Sequence, residues 1–313
     1  MSHYQYKKIL IIKHGSLGDV ISSISAIRPI REFFKGSKIE ILTTSNFSTF
    51  FSKSKLVDQN IIDNRKGILY SLKIIYIILS KKFDLIIDLQ NSKRSSIYCF
   101  LIKIFSSVKI NGTHSSSHFR YKYNKNNITN VVTGLGNQIS LLGIKNDNIP
   151  NLSWLEDQNF NIKILNNKNF FIINPGCSNK NKIKRWNPEN FAKICTYLLS
   201  LNILPVVIGA GNDYRIIKKI EEKESRIINL YNKSPINIIY NLSLKAVGAI
   251  SNDTGPAHII ASTNCKIHLI LSSFSNTDTV IPQSKNVTYT QSTIINDIQP
   301  DEIFKKIKLL ILK

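Results

Sequence analysis

No two of the four cysteines, Cys99, Cys177, Cys195 and Cys265, stand close enough to form a CxxC pair. The common zinc and redox signatures are therefore missing, and the thiols read as reduced in a cytoplasmic chain. Long apolar runs are missing too. The most apolar stretch, 68–79, is interrupted by Lys73 and falls short of the roughly 20 residues a spanning helix needs. The opening MSHYQYKKILIIKHG enters a strand directly, with too short an apolar run for a signal peptide. GSLGDV, GLGNQI and GAGNDY all fail to complete the dinucleotide fingerprint GxGxxG, and no P-loop GxxxxGK[ST] occurs. These gaps argue against a nicotinamide enzyme and against a P-loop nucleotidase. Acidic residues are scarce: 20 Asp and Glu against 42 Lys and Arg give a net charge of +22. Such an excess favours a nucleic acid, an anionic membrane surface or a phosphorylated substrate. An AT-rich genome enriches Lys, Asn and Ile by itself, so charge alone does not choose among these.

What the chain does have is alternation. KKILIIK (7–13), KIEILTT (38–44) and FDLIIDLQ (83–90) are apolar runs bounded by turns. They read as strands buried on both faces of a parallel sheet. Helices are expected between them at 19–34, kinked or ended near Pro29, and at 66–82 and 95–107. A second series starts after residue 165. Strands are expected at 169–176, 203–213, 226–232, 246–253 and 266–273, with helices between them and an amphipathic helix at the C-terminus. Trp186 reads as a packing residue at a helix entry. Two such series predict an α/β chain of two Rossmann-like domains facing a central cleft, 1–165 and 166–313, with the last helix packing back on the first.

Residues 111–130, NGTHSSSHFRYKYNKNNITN, break the pattern as a polar, basic loop. Ligands of open α/β sheets gather at loops off the strand ends. His114, His118, Arg120 and Lys122 are thus candidates to meet phosphates. Two strand-to-helix turns also stand out. In ISNDTGPAHIIAS (250–262), a helix start offers free N–H groups and a partial positive charge to a phosphate. Asp253 there either binds a sugar hydroxyl or caps the helix, and His258 either donates to phosphate or orients its neighbours. In HGSLGDV (14–20), Gly15 and Gly18 permit a tight turn and place Asp19 at a helix start, as a cap or as a base.

The segments ILIIKHGSLGDVISSISAIRPIREFF, FDLIIDLQNSKRS, INPGCSNKNKIKRWNPENFAKI and ISNDTGPAHIIAS resemble, in order, the motifs of the lipopolysaccharide heptosyltransferases of glycosyltransferase family 9. The resemblance implies a GT-B fold. It implies inverting transfer of a heptose, from ADP-heptose, to a lipid-linked phosphorylated acceptor in the lipopolysaccharide inner core. It also implies no metal and no cofactor, and a peripheral place at the inner face of the inner membrane, with no nucleic-acid partner.

Carried over by motif, Asp19 is the catalytic base and Lys184 balances the leaving diphosphate. Gly18, Ser178, Asp253, Thr254, Gly255 and His258 join Lys184 in holding the donor. Asp213, in GAGND, is the nearest candidate for the acid that holds the ribose, although this turn departs from the family's Gly-Gly-Pro. FSNTD (274–278) likewise departs from Phe-Gly-Pro-Thr-Asp and keeps its Thr-Asp end. A sugar-nucleotide epimerase or hydrolase on the same fold is the nearer alternative, and a basic nucleic-acid-binding protein the more distant one.

Overall fold

In the computed structural model, which describes residues 6–123, 129–146, 149–177 and 183–311, two units divide the chain: Met1–Trp154 and Leu155–Lys313. The first unit contains β1 (Lys8–Ile12), α1 (Leu17–Phe33), β2 (Lys38–Thr43), α2 (Ser45–Ser54), β3 (Gln59–Ile62), α3 (Gly67–Ser80), β4 (Leu85–Asp88), α4 (Lys93–Phe105), β5 (Lys109–Gly112), β6 (Phe119–Arg120) and α5 (Val131–Ser140). Its strands pair in parallel in the order β3-β2-β1-β4-β5-β6. The reason β1 is central can be read from its composition: Ile9, Leu10, Ile11 and Ile12 are all fully buried, and a strand covered on both faces must be apolar throughout. It lies between β2, with Ile9 opposite Ile39, and β4, with Ile9 opposite Leu85.

The second unit contains β7 (Phe170–Asn174), α6 (Pro188–Ser200), β8 (Leu204–Gly209), α7 (Tyr214–Lys223), β9 (Ile228–Tyr231), α8 (Ile236–Lys245), β10 (Gly248–Asn252), α9 (Gly255–Ala261), β11 (Ile267–Ser272), α10 (Thr277–Val280), β12 (Val287–Ser292) and α11 (Pro300–Ile311). The sheet repeats the first in plan, in the order β12-β11-β10-β7-β8-β9. In both sheets the strand order reverses at the middle, between β1 and β4 and between β7 and β10. Open α/β sheets bind ligands at such switch points, beyond the carboxyl ends of the strands.

Several expectations change. Helix α1 runs through Pro29 to Phe33, and Phe34 N–H still reaches the Ile30 carbonyl at 3.0 Å. Proline removes one helical hydrogen bond, but Pro29 and its neighbours Ile27 and Ile30 are buried, and that packing holds the helix together. The 111–130 loop is shorter than expected, because β5 extends to Gly112 and Phe119–Arg120 adds strand β6. The division falls before residue 165 because the segment after Leu155 is tied to α8. Asn241 Nδ2 donates to the Leu155 carbonyl at 2.8 Å, and Lys245 Nζ donates to that of Phe160 at 2.6 Å. Helix α11 buries Ile303, Ile307 and Leu310 in the core of its own unit, with Phe191, Leu198 and Trp186. Trp186 is fully buried, as expected; its Nε1–H donates to the Ile298 carbonyl at 3.0 Å. All four cysteines are free and buried.

Candidate functional site

The first unit gathers its polar side chains at the β1/β4 switch point. Beyond β1 the backbone must turn sharply into α1. Gly15 makes the turn at φ +128°, and a Cβ there would lie 2.7 Å from the Phe47 ring. Only glycine fits. The turn ends at Ser16, whose N–H and hydroxyl both donate to Asp19 Oδ2, at 2.9 and 3.0 Å. Asp19 thus closes a capping box in the first helical turn, where the dipole favours a carboxylate. It is half-buried, and both bonds fall on one of its two oxygens.

Beneath this turn lies a buried charged layer. Lys13 Nζ donates to the Leu89 carbonyl at 3.0 Å; burial lowers its pKa, opposed by the charges of Asp19 and Asp88. Asp88, fully buried, is pushed up by burial, although Oδ1 accepts from the Gln90 and Asn91 N–H groups, both at 3.0 Å. The Gln90 side chain accepts from His14 N–H at 2.9 Å, which fixes β4's end to the turn. His14 Nε2 lies 3.1 Å from Asp63 Oδ2, which also accepts from the Tyr98 hydroxyl at 3.0 Å. Arg94 Nε bonds that hydroxyl at 2.7 Å. Burial raises the Asp63 pKa, but hydrogen bonds from His14, Arg65 N–H and Tyr98 outweigh it and hold the carboxyl low. Beside the turn opens a pocket of ≈ 450 Å³, lined by His14, Ser16, Thr44, Asn46, Phe47 and Arg65 among others.

The acceptor-side candidates separate here. His114 joins the cluster: its Nε2 is 3.9 Å from Asp88 Oδ2, and burial, then Arg120 and Lys103, lower its pKa. His118 does not; its Nδ1 accepts from the Ile110 N–H at 3.2 Å, so the ring pins β6 to β5. Arg120 is exposed, with Nε directed to the Thr113 carbonyl at 3.3 Å, and Lys122 is exposed. Asp88, Cys99 and His114 place one potential metal-ligating atom each within 4.8 Å of the others, the one such group among the described residues. A metal there would need both acids deprotonated, and burial pushes the Cys99 thiol well up and the Asp88 carboxyl up as well.

The second unit builds the matching cluster at its β7/β10 switch point. Lys184 Nζ donates to Asp253 Oδ2 at 2.7 Å, and the Ser275 hydroxyl donates to the same oxygen at 2.8 Å. Both charged side chains are mostly buried, 16% and 14% exposed. Asp253 therefore does not cap α9, whose N-cap is Thr254; it pairs with Lys184. Gly255 opens that seven-residue helix, and His258 lies half-buried in it. Asn252 braces the floor: its Nδ2 donates to the Pro175 carbonyl at 2.8 Å. On the β8 side, Asp213 accepts from Ala210 N–H at 3.3 Å and lies 3.5 Å from the Arg185 guanidinium, with burial raising its pKa. Arg185 also donates to the Cys177 carbonyl at 2.8 Å. Gly176 has no room for a side chain, since a Cβ would sit 2.5 Å from the Asp213 carboxylate. Lys184, Asp253 and, across Arg185, Asp213 thus converge on one strand-end face. Ser178 lies outside the described residues. Gly18 sits in the first turn of α1, in the other unit.

Sequence reasoning missed Asp63, Tyr98, Arg94 and Ser275. Asp63 lies in a loop between elements and carries no motif, and Ser275 stands in FSNTD where the family motif has glycine; only the fold brings them to Tyr98 and Asp253.

The family model of glycosyltransferase family 9 (heptosyltransferase) matches residues 72–301. The chain belongs to glycosyltransferase family 9, the heptosyltransferases. As a family 9 member it is a glycosyltransferase, and its two Rossmann-like units are those of the GT-B fold. It is 22% identical to lipopolysaccharide heptosyltransferase 1 of Campylobacter coli, over 97% of this chain and 98% of that one. A glycosyl transferase family 9 structure from Veillonella parvula DSM 2008 superposes with a TM-score of 0.81 at 18% identity, over 99% of this chain and 98% of that one. The E. coli heptosyltransferase WaaC with ADP-2-deoxy-2-fluoro heptose gives 0.75 at 15% identity, over 96% and 99%. The family match takes in Lys184, Asp213 and Asp253 and begins after Asp19, whose assignment rests on the Gly-Asp turn.

Proposed function

We propose that this family 9 enzyme transfers a heptose, with inversion, from ADP-heptose to the inner core of lipopolysaccharide. The observation that carries the reading is the pair of switch-point clusters. One presents a carboxylate on a rigid turn, and the other a cation–carboxylate pair suited to a nucleoside diphosphate. The ADP-sugar bound by the E. coli relative supports the donor class.

In the proposed step the acceptor hydroxyl oxygen attacks the anomeric carbon and its proton passes to Asp19. Ser16 occupies Oδ2, so Oδ1 is the accepting atom. The bond from the anomeric carbon to the phosphate oxygen breaks, and the electron pair leaves with ADP. Lys184 and Arg185 then face the charge that develops, in a site shielded enough for that charge pairing to matter. No metal is assigned to this step. Lys184 is paired with Asp253 before the donor arrives, so the diphosphate must draw the ammonium away from that carboxylate. Asp253 is then released to a sugar hydroxyl, with Thr254, Gly255 and His258 beside it, Ser178 and Gly18 completing the donor contacts, and Asp213 on the ribose. His114, with Arg120 and Lys122, meets the acceptor's phosphates, and the membrane surface that carries the acceptor is the enzyme's partner.

The test supplies ADP-heptose and lipopolysaccharide stripped of its core heptose. Mass spectrometry should show the acceptor heavier by one heptose residue, with ADP formed in equal amount. ADP formed without a heavier acceptor, or no ADP at all, would sink the proposal.

A further inference from the structure

The two helices α3 and α4 pack against each other and share one face of the first unit's core. Their inner sides supply Ile74, Ile75 and Ile78, and Tyr98, Cys99 and Ile102. On an ordinary surface helix the opposite side would be polar. Here it is not. Leu69, Leu72 and Tyr76 on α3 are 84%, 51% and 72% exposed. Ile97, Phe100 and Ile104 on α4 are 56%, 53% and 57% exposed. Each triplet has the spacing i, i+3, i+7, which lines up one outward stripe per helix. Two adjacent apolar stripes form a continuous patch of the kind that marks an interaction site. A helix apolar all round belongs in a core or in lipid. At 14 residues α3 is about 21 Å long, and no described helix is long and apolar enough to cross a membrane.

The charge around the patch names its partner. Residues 64–83 and 89–123 contain no Asp or Glu. Arg65, Lys66 and Lys73 around α3, and Lys93 and Lys103 on α4, are exposed. Their aliphatic stems can lie along the apolar stripes while the charged ends reach outward. An apolar face edged by cations without anions is the pattern of a helix lying in the headgroup region of an anionic bilayer. A second copy of the chain would bring the same lysines face to face.

We propose that the outward face of α3 and α4 inserts into the surface of an anionic lipid bilayer and anchors the enzyme there. The inference rests on the proposed function only in that a membrane-borne acceptor gives the enzyme a reason to visit a bilayer. It differs from simple attraction of the basic surface in its salt dependence. Screening removes most of an electrostatic contact at about 1 M NaCl, where the Debye length is about 3 Å, but leaves apolar insertion in place.

The experiment uses the full chain and vesicles of phosphatidylethanolamine with phosphatidylglycerol, against phosphatidylcholine alone. The wild type should sediment with the anionic vesicles and keep part of that binding at high salt. The fourfold variant Leu69→Ser, Leu72→Ser, Phe100→Ser, Ile104→Ser should lose at least about tenfold in partitioning, in proportion to the apolar area withdrawn. Circular dichroism and ADP affinity should be unchanged, since none of the four touches the site. A Phe100→Trp variant should gain fluorescence quenched by lipids brominated along the acyl chain, measured against the wild type. The proposal is overturned if the wild type ignores anionic vesicles, or if the fourfold variant binds them as well as the wild type. It is also overturned if the introduced tryptophan is not quenched, or if the fourfold variant's only effect is to dissociate a dimer. Transfer to a delipidated core acceptor separates the two readings. If it persists while vesicle binding fails, the anchor alone is wrong; if vesicles bind and no acceptor is glycosylated, the functional reading is wrong.

Discussion

Among the described residues, replacing Lys184 with Ala removes the cation held 2.7 Å from Asp253 Oδ2 and leaves that oxygen with the Ser275 hydroxyl. Two losses follow when a diphosphate binds. The first is the charge-assisted hydrogen bond from Lys184, which contributes about 1.5–3 kcal/mol, or about 10- to 100-fold in affinity. The second is the exposure of Asp253 as an unpaired anion beside the incoming anion. At about 4 Å and an effective dielectric of about 20 that repulsion reaches about 4 kcal/mol, an upper limit that water entering the vacated space reduces. Lys184→Ala should therefore weaken ADP binding by about 100-fold or more, measured by isothermal titration calorimetry, and slow transfer with it. The double variant Lys184→Ala, Asp253→Asn separates the terms. With the bare carboxylate neutralised, it should bind ADP more tightly than the single variant does. If Lys184→Ala binds ADP as the wild type does, or the double variant is the weaker binder, the pairing of this cation with the diphosphate is wrong.

Gly176→Ala should displace Asp213, since the added Cβ falls 2.5 Å from its carboxylate. A loss of about 1–3 kcal/mol of stability in urea is expected, with weaker donor binding than the stability change explains. His268, fully buried on β11 between the hydroxyls of Thr288 and Thr290, is held down to about 4 by burial and then by the Lys306 charge. A histidine with a depressed folded pKa contributes its full stability above the unfolded value near 6.5 and loses it as pH falls toward 4. Urea midpoints should thus drop by the equivalent of about 3 kcal/mol across that window, and His268→Asn should flatten the slope. Tyr98→Phe should unfix Asp63 and hence His14, lowering turnover without changing ADP affinity; equal loss of both would show a purely structural role.

The sheet strands that carry the switch-point turns were legible because each is a short, unbroken apolar run, as in KILII and FFIIN, and such runs are buried on both faces. Trp186 was legible for a similar reason, as a large ring just before a Pro-Glu helix start. Other elements hid for definite reasons. Helix α2, SNFSTFFSKS, buries only Phe50, Phe51 and Ser54, too little to set a period. Strand β12, VTYTQS, has no fully buried residue and carries no apolar run. Pro29 argued for a break that buried neighbours override. At the site, Asp19, Lys184 and Asp253 sit in turns with their own composition and could be picked out. Nothing local to Asp63 points to His14 and Tyr98, which reach it only across the folded sheet. The basic loop drew attention to His118 by its composition, yet the ring is taken up by the β5 backbone.

In the proposed mechanism Asp19 takes the acceptor's proton, and the cations that face the diphosphate belong to the second unit. The decisive measurement is single-turnover transfer by Asp19→Asn, made beside an ADP titration of the same preparation. The amide keeps the shape of the capping box but cannot accept the proton, so turnover should fall about 100-fold or more, with ADP affinity close to that of the wild type. Turnover near the wild-type rate, or a loss of ADP binding that matches the loss of rate, would contradict this division of roles.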